Sequence, residues 1–212
     1  MKFYDFPLAP SPRKVRLFIA EKGIELPTVT VDLRQREQHS PEFLAVNPRG
    51  TVPVLELEDG LALTESLAIC HYLEHRYPEP NLMGRGAEEQ AQVLMWNDIL
   101  TAECYLPIQE VLRNESAAFV GRPLPGTVSY EQIPALAERG RKRCDVFFDG
   151  LEKHLSREMN VTCGRFTYAD IVAYVYTGFA ERALGSSPGA TRGALGQWYE
   201  RVAARPAIAA SR

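Results

Sequence analysis

The 212-residue sequence holds only four cysteines, Cys70, Cys104, Cys144 and Cys163, and no two of them stand in a C-x-x-C arrangement. Thiols scattered in this way make neither a disulfide framework nor a tetrahedral zinc set, so a reducing compartment is expected. Histidine is equally scarce. His39, His71, His75 and His154 form no ligand cluster. His71 and His75 are four apart and share a helix face, but no acidic motif accompanies them as in a zinc protease, and no metal is expected. No apolar run approaches the ~20 residues that span a bilayer, and the first residues lack the basic-then-apolar pattern of a secretory signal. The expectation is a cytoplasmic chain without a membrane partner. Positive charge is not in excess either. The 24 Lys and Arg stand against 27 Asp and Glu, for a net charge of −3, which gives no footprint for nucleic acid. Internal repeats and low-complexity tracts are missing too. What is present is a composition of 45% hydrophobic and 24% charged residues, enough for a soluble core. The length suits one large domain or two small ones.

The first third alternates strand and helix signals. Residues 2–6 read as a strand, and residues 7–12 as a proline-rich loop. Ser11-Pro12 reads as a helix start, with serine as N-cap and proline first inside, and Gly23 ends that helix. A β-branched strand follows over residues 27–33, then a charged loop to Ser40 and a short helix over 41–46. Two strands over 54–57 and 61–63 are joined by Glu58-Asp59-Gly60, a hairpin turn. Apolar positions 67, 68, 69, 72 and 73 mark a helix over 65–76. The first two strands flank a helix and should be parallel with a right-handed crossover. The result is a mixed sheet with helices on both faces.

Residues 77–86, with two prolines and two glycines, read as a linker. After it strand signals vanish. A long helix over 88–114 should kink at Pro107. A loop over 115–129 precedes a second long helix over 130–155, provided that Gly140 is tolerated. A third over 167–184 is hydrophobic nearly all round and should be the buried centre. A fourth covers 194–204. Thr167 and Asp170 form a capping box, with Phe166 and Ile171 as its hydrophobic staple.

One stretch points to chemistry: Asn47-Pro48-Arg49-Gly50-Thr51-Val52-Pro53-Val54-Leu55. A strand that opens on proline places Pro53 at its first residue. A Val52–Pro53 bond at such a corner is a candidate for cis geometry. That bend would leave the Val52 N–H and C=O free to pair with an extended peptide. The helix start Thr64-Glu65-Ser66 follows one hairpin later. Together they read as a peptide-holding site.

Thr51-Val52-Pro53, the Glu65-Ser66 pair and the box at 166–171, in this order and at these separations, resemble the cytosolic glutathione transferases. Ser11-Pro12-Arg13-Lys14-Val15-Arg16, Trp198 and Arg205-Pro206 are similar to bacterial members of the theta, beta and nu type. The resemblance covers essentially the whole chain. It implies an α/β thioredoxin-like N-terminal domain over residues 1–79 and an all-α C-terminal helical bundle domain over residues 88–212, and it implies a homodimer. Glutathione would be the co-substrate. Val52, beside Pro53, would pair with its cysteinyl part, and Glu65 and Ser66 would hold the γ-glutamyl end. Gln38, His39 and Thr51, with Arg49, would meet the glycine carboxylate. The pattern fails at Ala9, where many relatives place serine or cysteine. Ser11 is then the candidate to hold the glutathione sulfur as thiolate, with Tyr4 a weaker one.

The second substrate would be a small hydrophobic electrophile, with Phe6, Leu8, Met95, Trp96, Ile99 and Tyr105 as candidate lining. The implied function is conjugation of glutathione thiolate to that electrophile. Disulfide or peroxide reduction on the same site, and a binding protein that has lost catalysis, stay open beside it.

Overall fold

The computed structural model describes residues 1–125 and 128–211. Gly126 and Thr127, inside the loop expected over 115–129, and Arg212, the last residue of the expected helical domain, lie outside the described residues. Contacts divide the chain into two compact units. One is Met1–Asn81 with the C-terminal segment from Pro206, and the other is Leu82–Arg205. The first is a thioredoxin-like α/β unit and the second is all-α. Among the described residues no helix is long and apolar enough to cross a membrane.

Among the described residues the first unit has four strands and four α-helices. They are β1 (Lys2–Asp5), α1 (Pro10–Glu21), β2 (Thr28–Thr30), α2 (Pro41–Val46), β3 (Val54–Glu56), β4 (Ala62–Thr64), α3 (Ser66–Arg76) and, at the far end of the chain, Pro206–Ala210. The sheet order is β2-β1-β3-β4. β1 and β2 are parallel, with Tyr4 beside Val29. β1–β3 and β3–β4 are antiparallel, with Val54 between Tyr4 and Thr64. Side chains alternate across a strand. Tyr4 and Val54 therefore share one face, where Phe43 of α2 packs on them, while the fully buried Phe3 and Leu55 share the other.

Helix α1 does not begin where Ser11-Pro12 suggested. It starts at Pro10, with Ala9 in the N-cap position and no side-chain cap. Ser11 is therefore inside the first turn. Proline has no N–H to leave unsatisfied and its fixed φ suits the first helical position, so Pro10 opens the helix without a polar cap. At the other end Lys22 is buried. Its Nζ lies 2.6 Å from Glu74 Oε2 and donates to the Tyr77 carbonyl at 2.7 Å. That pair joins the C-terminal ends of α1 and α3.

The second unit contains α4 (Gly86–Ile99), α5 (Leu106–Glu115), α6 (Pro134–Leu155), α7 (Tyr168–Leu184) and α8 (Gly193–Ala203); the short C-terminal helix of the first unit is α9. The kink expected at Pro107 takes a different form. A π-helical turn, Leu100–Tyr105, joins α4 to α5, and the Leu106 N–H bonds back to Thr101. An inserted residue of this kind lets the helix pass a proline that can neither donate nor tolerate a close carbonyl one turn back. α6 starts at Pro134, four residues later than its pattern suggested. Residue 133 is instead tied down by Asn114, whose Oδ1 accepts the Ile133 N–H at 2.9 Å.

Gly140 of α6 is required for contact. A Cβ there would sit 2.7 Å from the Pro107 carbonyl oxygen. α7 is the buried centre, with every residue from Tyr168 to Ala180 buried. The capping box of Thr167 and Asp170 is present. Asp170 also accepts from the Val161 N–H at 2.9 Å and from Trp198 Nε1 at 3.1 Å. Burial pushes its carboxyl above the usual range while these bonds pull it back. The Phe166 ring carries the Arg205 guanidinium at 3.7 Å.

Asp170→Ala would leave the N–H groups of Val161, Thr167 and Trp198 without an acceptor. At about 1–3 kcal/mol for each unsatisfied donor, urea unfolding should show a loss of at least ~3 kcal/mol. Gly140→Ala should lower stability by about 1–3 kcal/mol through overpacking against backbone; an unchanged unfolding midpoint would mean that α5 and α6 separate freely.

Candidate functional site

The site is built at one end of the sheet of the first unit. Val54 pairs with Thr64 in an antiparallel register. Val52 and Pro53 directly precede that pair on one strand, and Glu65 and Ser66 directly follow it on the other, so both dipeptides leave the hairpin at the same end. The Val52–Pro53 bond is cis. Among the described residues neither the N–H nor the C=O of Val52 takes part in a hydrogen bond. Both remain available for pairing with an extended backbone.

The stretch before it is pinned by Asn47, which is 2% exposed. Its Nδ2 donates to the Thr51 carbonyl at 2.8 Å and to Thr51 Oγ1 at 3.1 Å. Its Oδ1 accepts from the Arg49 N–H at 3.1 Å. Both Thr51 oxygens are thus held by the loop, and its hydroxyl proton stays available to a ligand. Gly50, at φ 59°, sits against the 3₁₀ turn Glu37–His39. A Cβ there would meet His39 Nδ1 at 3.0 Å and the Gln38 carbonyl at 3.1 Å. Gln38 Oε1 and His39 Nδ1 are both buried and without a partner. Two orphaned polar atoms in one place are costly unless something binds them. Arg49 is exposed.

The start of α3 departs from ordinary helix geometry. Glu65 is exposed, makes no cap, and adopts φ 66°. A non-glycine residue held there carries strain of order 1–3 kcal/mol, and such strain gathers at functional sites. The first bond of the helix runs from the Ile69 N–H to the Glu65 carbonyl at 3.0 Å. The amides ahead of it have no intrahelical partner and carry the positive end of the helix dipole. Ser66 is 5% exposed. Its hydroxyl donates to the Ser11 carbonyl at 2.9 Å. That bond spends the Ser66 proton inside the protein, so a ligand meets its N–H and its lone pairs.

The same bond joins the N-terminus of α3 to that of α1. Pro10 and Pro12 have no N–H, and the Arg13 N–H is taken by the Ala9 carbonyl at 3.3 Å. Ser11 is therefore left with the amide and the hydroxyl at this helix tip, and no hydrogen bond to that hydroxyl occurs among the described residues. It is half-buried. The loop before it is fixed by Arg16, whose Nη1 bonds Asp5 at 2.8 and 2.5 Å and whose Nη2 bonds the Pro7 carbonyl at 3.2 Å.

Tyr4 is removed from the site. Its hydroxyl donates to Glu56 Oε2 at 2.8 Å, and burial and that bond push the phenol above its ordinary value. The cysteines are poor nucleophiles, the half-buried Cys163 included, whose thiol burial raises. Cys70, Cys104 and Cys144 are buried. Burial pushes the Cys104 thiol well up and that of Cys144 up to about 11.

Ser11, Val52, Pro53, Glu65 and Ser66 come together at this sheet end, with Gln38, His39 and Thr51 joined to it through Gly50 and Asn47. Asn47, Gly50 and Arg16 were not singled out as functional from sequence. The Asn-Pro-x-Gly spacing signals a turn, but not that its asparagine would face inward.

Known proteins resemble this chain along nearly its whole length. A model of the glutathione S-transferase N-terminal domain matches residues 9–76. "Glutathione S-transferase 2" of Saccharomyces cerevisiae is 30% identical over 98% of this chain and 88% of its own. A crystal structure of a glutathione S-transferase domain-containing protein from Marinobacter aquaeolei VT8 superposes with a TM-score of 0.88. It is 32% identical over 98% of this chain and all of its own. A maleylacetoacetate isomerase of Pseudomonas aeruginosa is 40% identical over 85 residues, 39% of this chain and 40% of its own. With relatives matched along nearly its whole length, and a bent prolyl corner facing two helix tips, the chain belongs to the glutathione S-transferase family.

Proposed function

We propose that this chain binds glutathione along the Val52–Pro53 corner and conjugates its thiolate to a small hydrophobic electrophile. The reading is carried by one observation: the Ser66 hydroxyl holds the Ser11 carbonyl, setting two helix N-termini beside an unpaired backbone corner. The Val52 N–H and C=O pair with the cysteinyl backbone. The α3 amides, including that of Ser66, receive the γ-glutamyl carboxylate, and the Glu65 carboxylate takes its ammonium. Gln38 through its amide NH2, His39 through a ring N–H and Thr51 through its hydroxyl donate to the glycine carboxylate.

Ser11 donates its hydroxyl proton in a hydrogen bond to the sulfur, and the α1 dipole adds to it. Lowering a thiol pKa by one unit takes only about 1.4 kcal/mol, within the reach of one donor and a helix end. The thiol proton leaves to solvent. The thiolate then forms a carbon–sulfur bond as the leaving group departs with its electron pair. Reduction through a mixed disulfide on the protein finds no support, because neither position 9 nor position 11 is cysteine.

Calorimetric titration with glutathione, and turnover of a chloro-dinitro aromatic against hydroxyethyl disulfide, test the proposal. Binding with faster turnover of the aromatic is expected. Binding without turnover of either would leave a carrier, and no heat would remove the site.

Ser11→Ala should cut turnover by about tenfold or more and raise the apparent thiol pKa in the pH–rate profile by ~1 unit. Its melting temperature should hold, because the hydroxyl caps nothing; an unaltered rate would exclude Ser11 from catalysis. Ser66→Ala should lower kcat as well as raise the glutathione KM, since it frees the Ser11 carbonyl, at a stability cost of about 1 kcal/mol. Glu65→Gln should raise KM alone.

A further inference from the structure

Asp5 ends β1 and is 4% exposed. A buried carboxylate needs a cation. Arg16 of α1 supplies it through Nη1, at 2.8 Å from Oδ1 and 2.5 Å from Oδ2. That pairing uses one nitrogen of the guanidinium. The other, Nη2, donates to the Pro7 carbonyl at 3.2 Å, so Arg16 does more than neutralise Asp5. A planar fork fixes two acceptors at once, which the point charge of a lysine does not. The base of the fork is itself held, since the Asp5 carbonyl accepts the Val31 N–H at 2.8 Å.

Pro7 lies inside the turn closed by the Ala9 N–H on the Phe6 carbonyl at 3.0 Å. That turn ends at Ala9, the N-cap position of α1, two residues before Ser11. Pro7, Pro10 and Pro12 deprive the segment of three backbone donors, so it has little of its own with which to fix itself. The Ser66 bond holds the Ser11 carbonyl but not the segment that leads to it. The guanidinium ties that segment to the sheet. We infer that Arg16, with Asp5 behind it, is the positioning residue that aims the Ser11 hydroxyl. It acts through the Pro7 carbonyl and the turn, and the inference rests on the reading of Ser11 as the donor to the glutathione sulfur. A donor displaced by about 1 Å is enough to cost up to ~100-fold in rate.

The test compares Arg16→Lys, Ser11→Ala and the double variant in the full chain. Arg16→Lys keeps a charge beside Asp5 and gives up the fork. It should lower kcat for the chloro-dinitro aromatic about tenfold and raise the apparent thiol pKa in the pH–rate profile by up to ~1 unit. The Kd of S-methylglutathione, which has no thiol to ionise, should stay unchanged. The double variant should lose no more than Ser11→Ala alone, because the two residues act as a unit. Asp5→Asn with Arg16→Gln removes both charges together, leaves no buried carboxylate unpaired, and should repeat the loss. A purely structural pair would lower the melting temperature and leave the thiol pKa in place. An unshifted thiol pKa in both Arg16 variants, or losses that multiply in the double variant, would overturn the inference. If Ser11→Ala leaves the rate unaltered, the reading of Ser11 falls on that variant by itself. A slowed Arg16→Lys would then show that the fork aims another group, which overturns the inference as well.

Discussion

The hydrogen bond from the Ser66 hydroxyl to the Ser11 carbonyl is the constraint on which the first unit's functional end depends. It spans 55 residues of sequence and ties together the starts of α1 and α3. The buried Lys22–Glu74 pair, with the Tyr77 carbonyl, ties their ends. Joined start to start and end to end, the two helices run side by side in the same direction. Their positive dipole ends therefore point the same way. A site for an anionic ligand follows from that parallel pairing before any single side chain is considered.

The donors at this end are rationed. Two prolines strip α1 of amides at its tip, and Ser66 turns its own proton inward. Ser11 is left with an amide and an uncommitted hydroxyl. Ala9 fills the cap position without a side-chain hydrogen bond. Asn47 does for the prolyl corner what Ser66 does for the helices. It ties the loop down internally, and among the described residues the Val52 backbone stays unpaired.

The second unit rests on Asp170, a buried carboxylate that caps α7, holds residue 161 and bonds the indole of α8. Its desolvation is offset because each donor it meets is itself buried and needs an acceptor. The capping half of this role was legible, since a Thr-x-x-Asp box is local. The half that involves Val161 and Trp198 was not, because those partners lie nine or more residues away.

The sequence by itself determined most of the element order, the buried centre at α7 and the cis-prone corner at Pro53. All of these rest on local propensity or on period. Tertiary structure decided what is held by distant contacts: that α1 begins at Pro10 and frees Ser11, that a π turn rather than a sharp kink carries the chain past Pro107, and that α9 joins the first unit. It also decided that Glu56 takes the Tyr4 hydroxyl and that Asn47 locks the corner. Each is a hydrogen bond or a close approach between residues that no local pattern links, and the direction of a side chain is set only once its neighbours are packed.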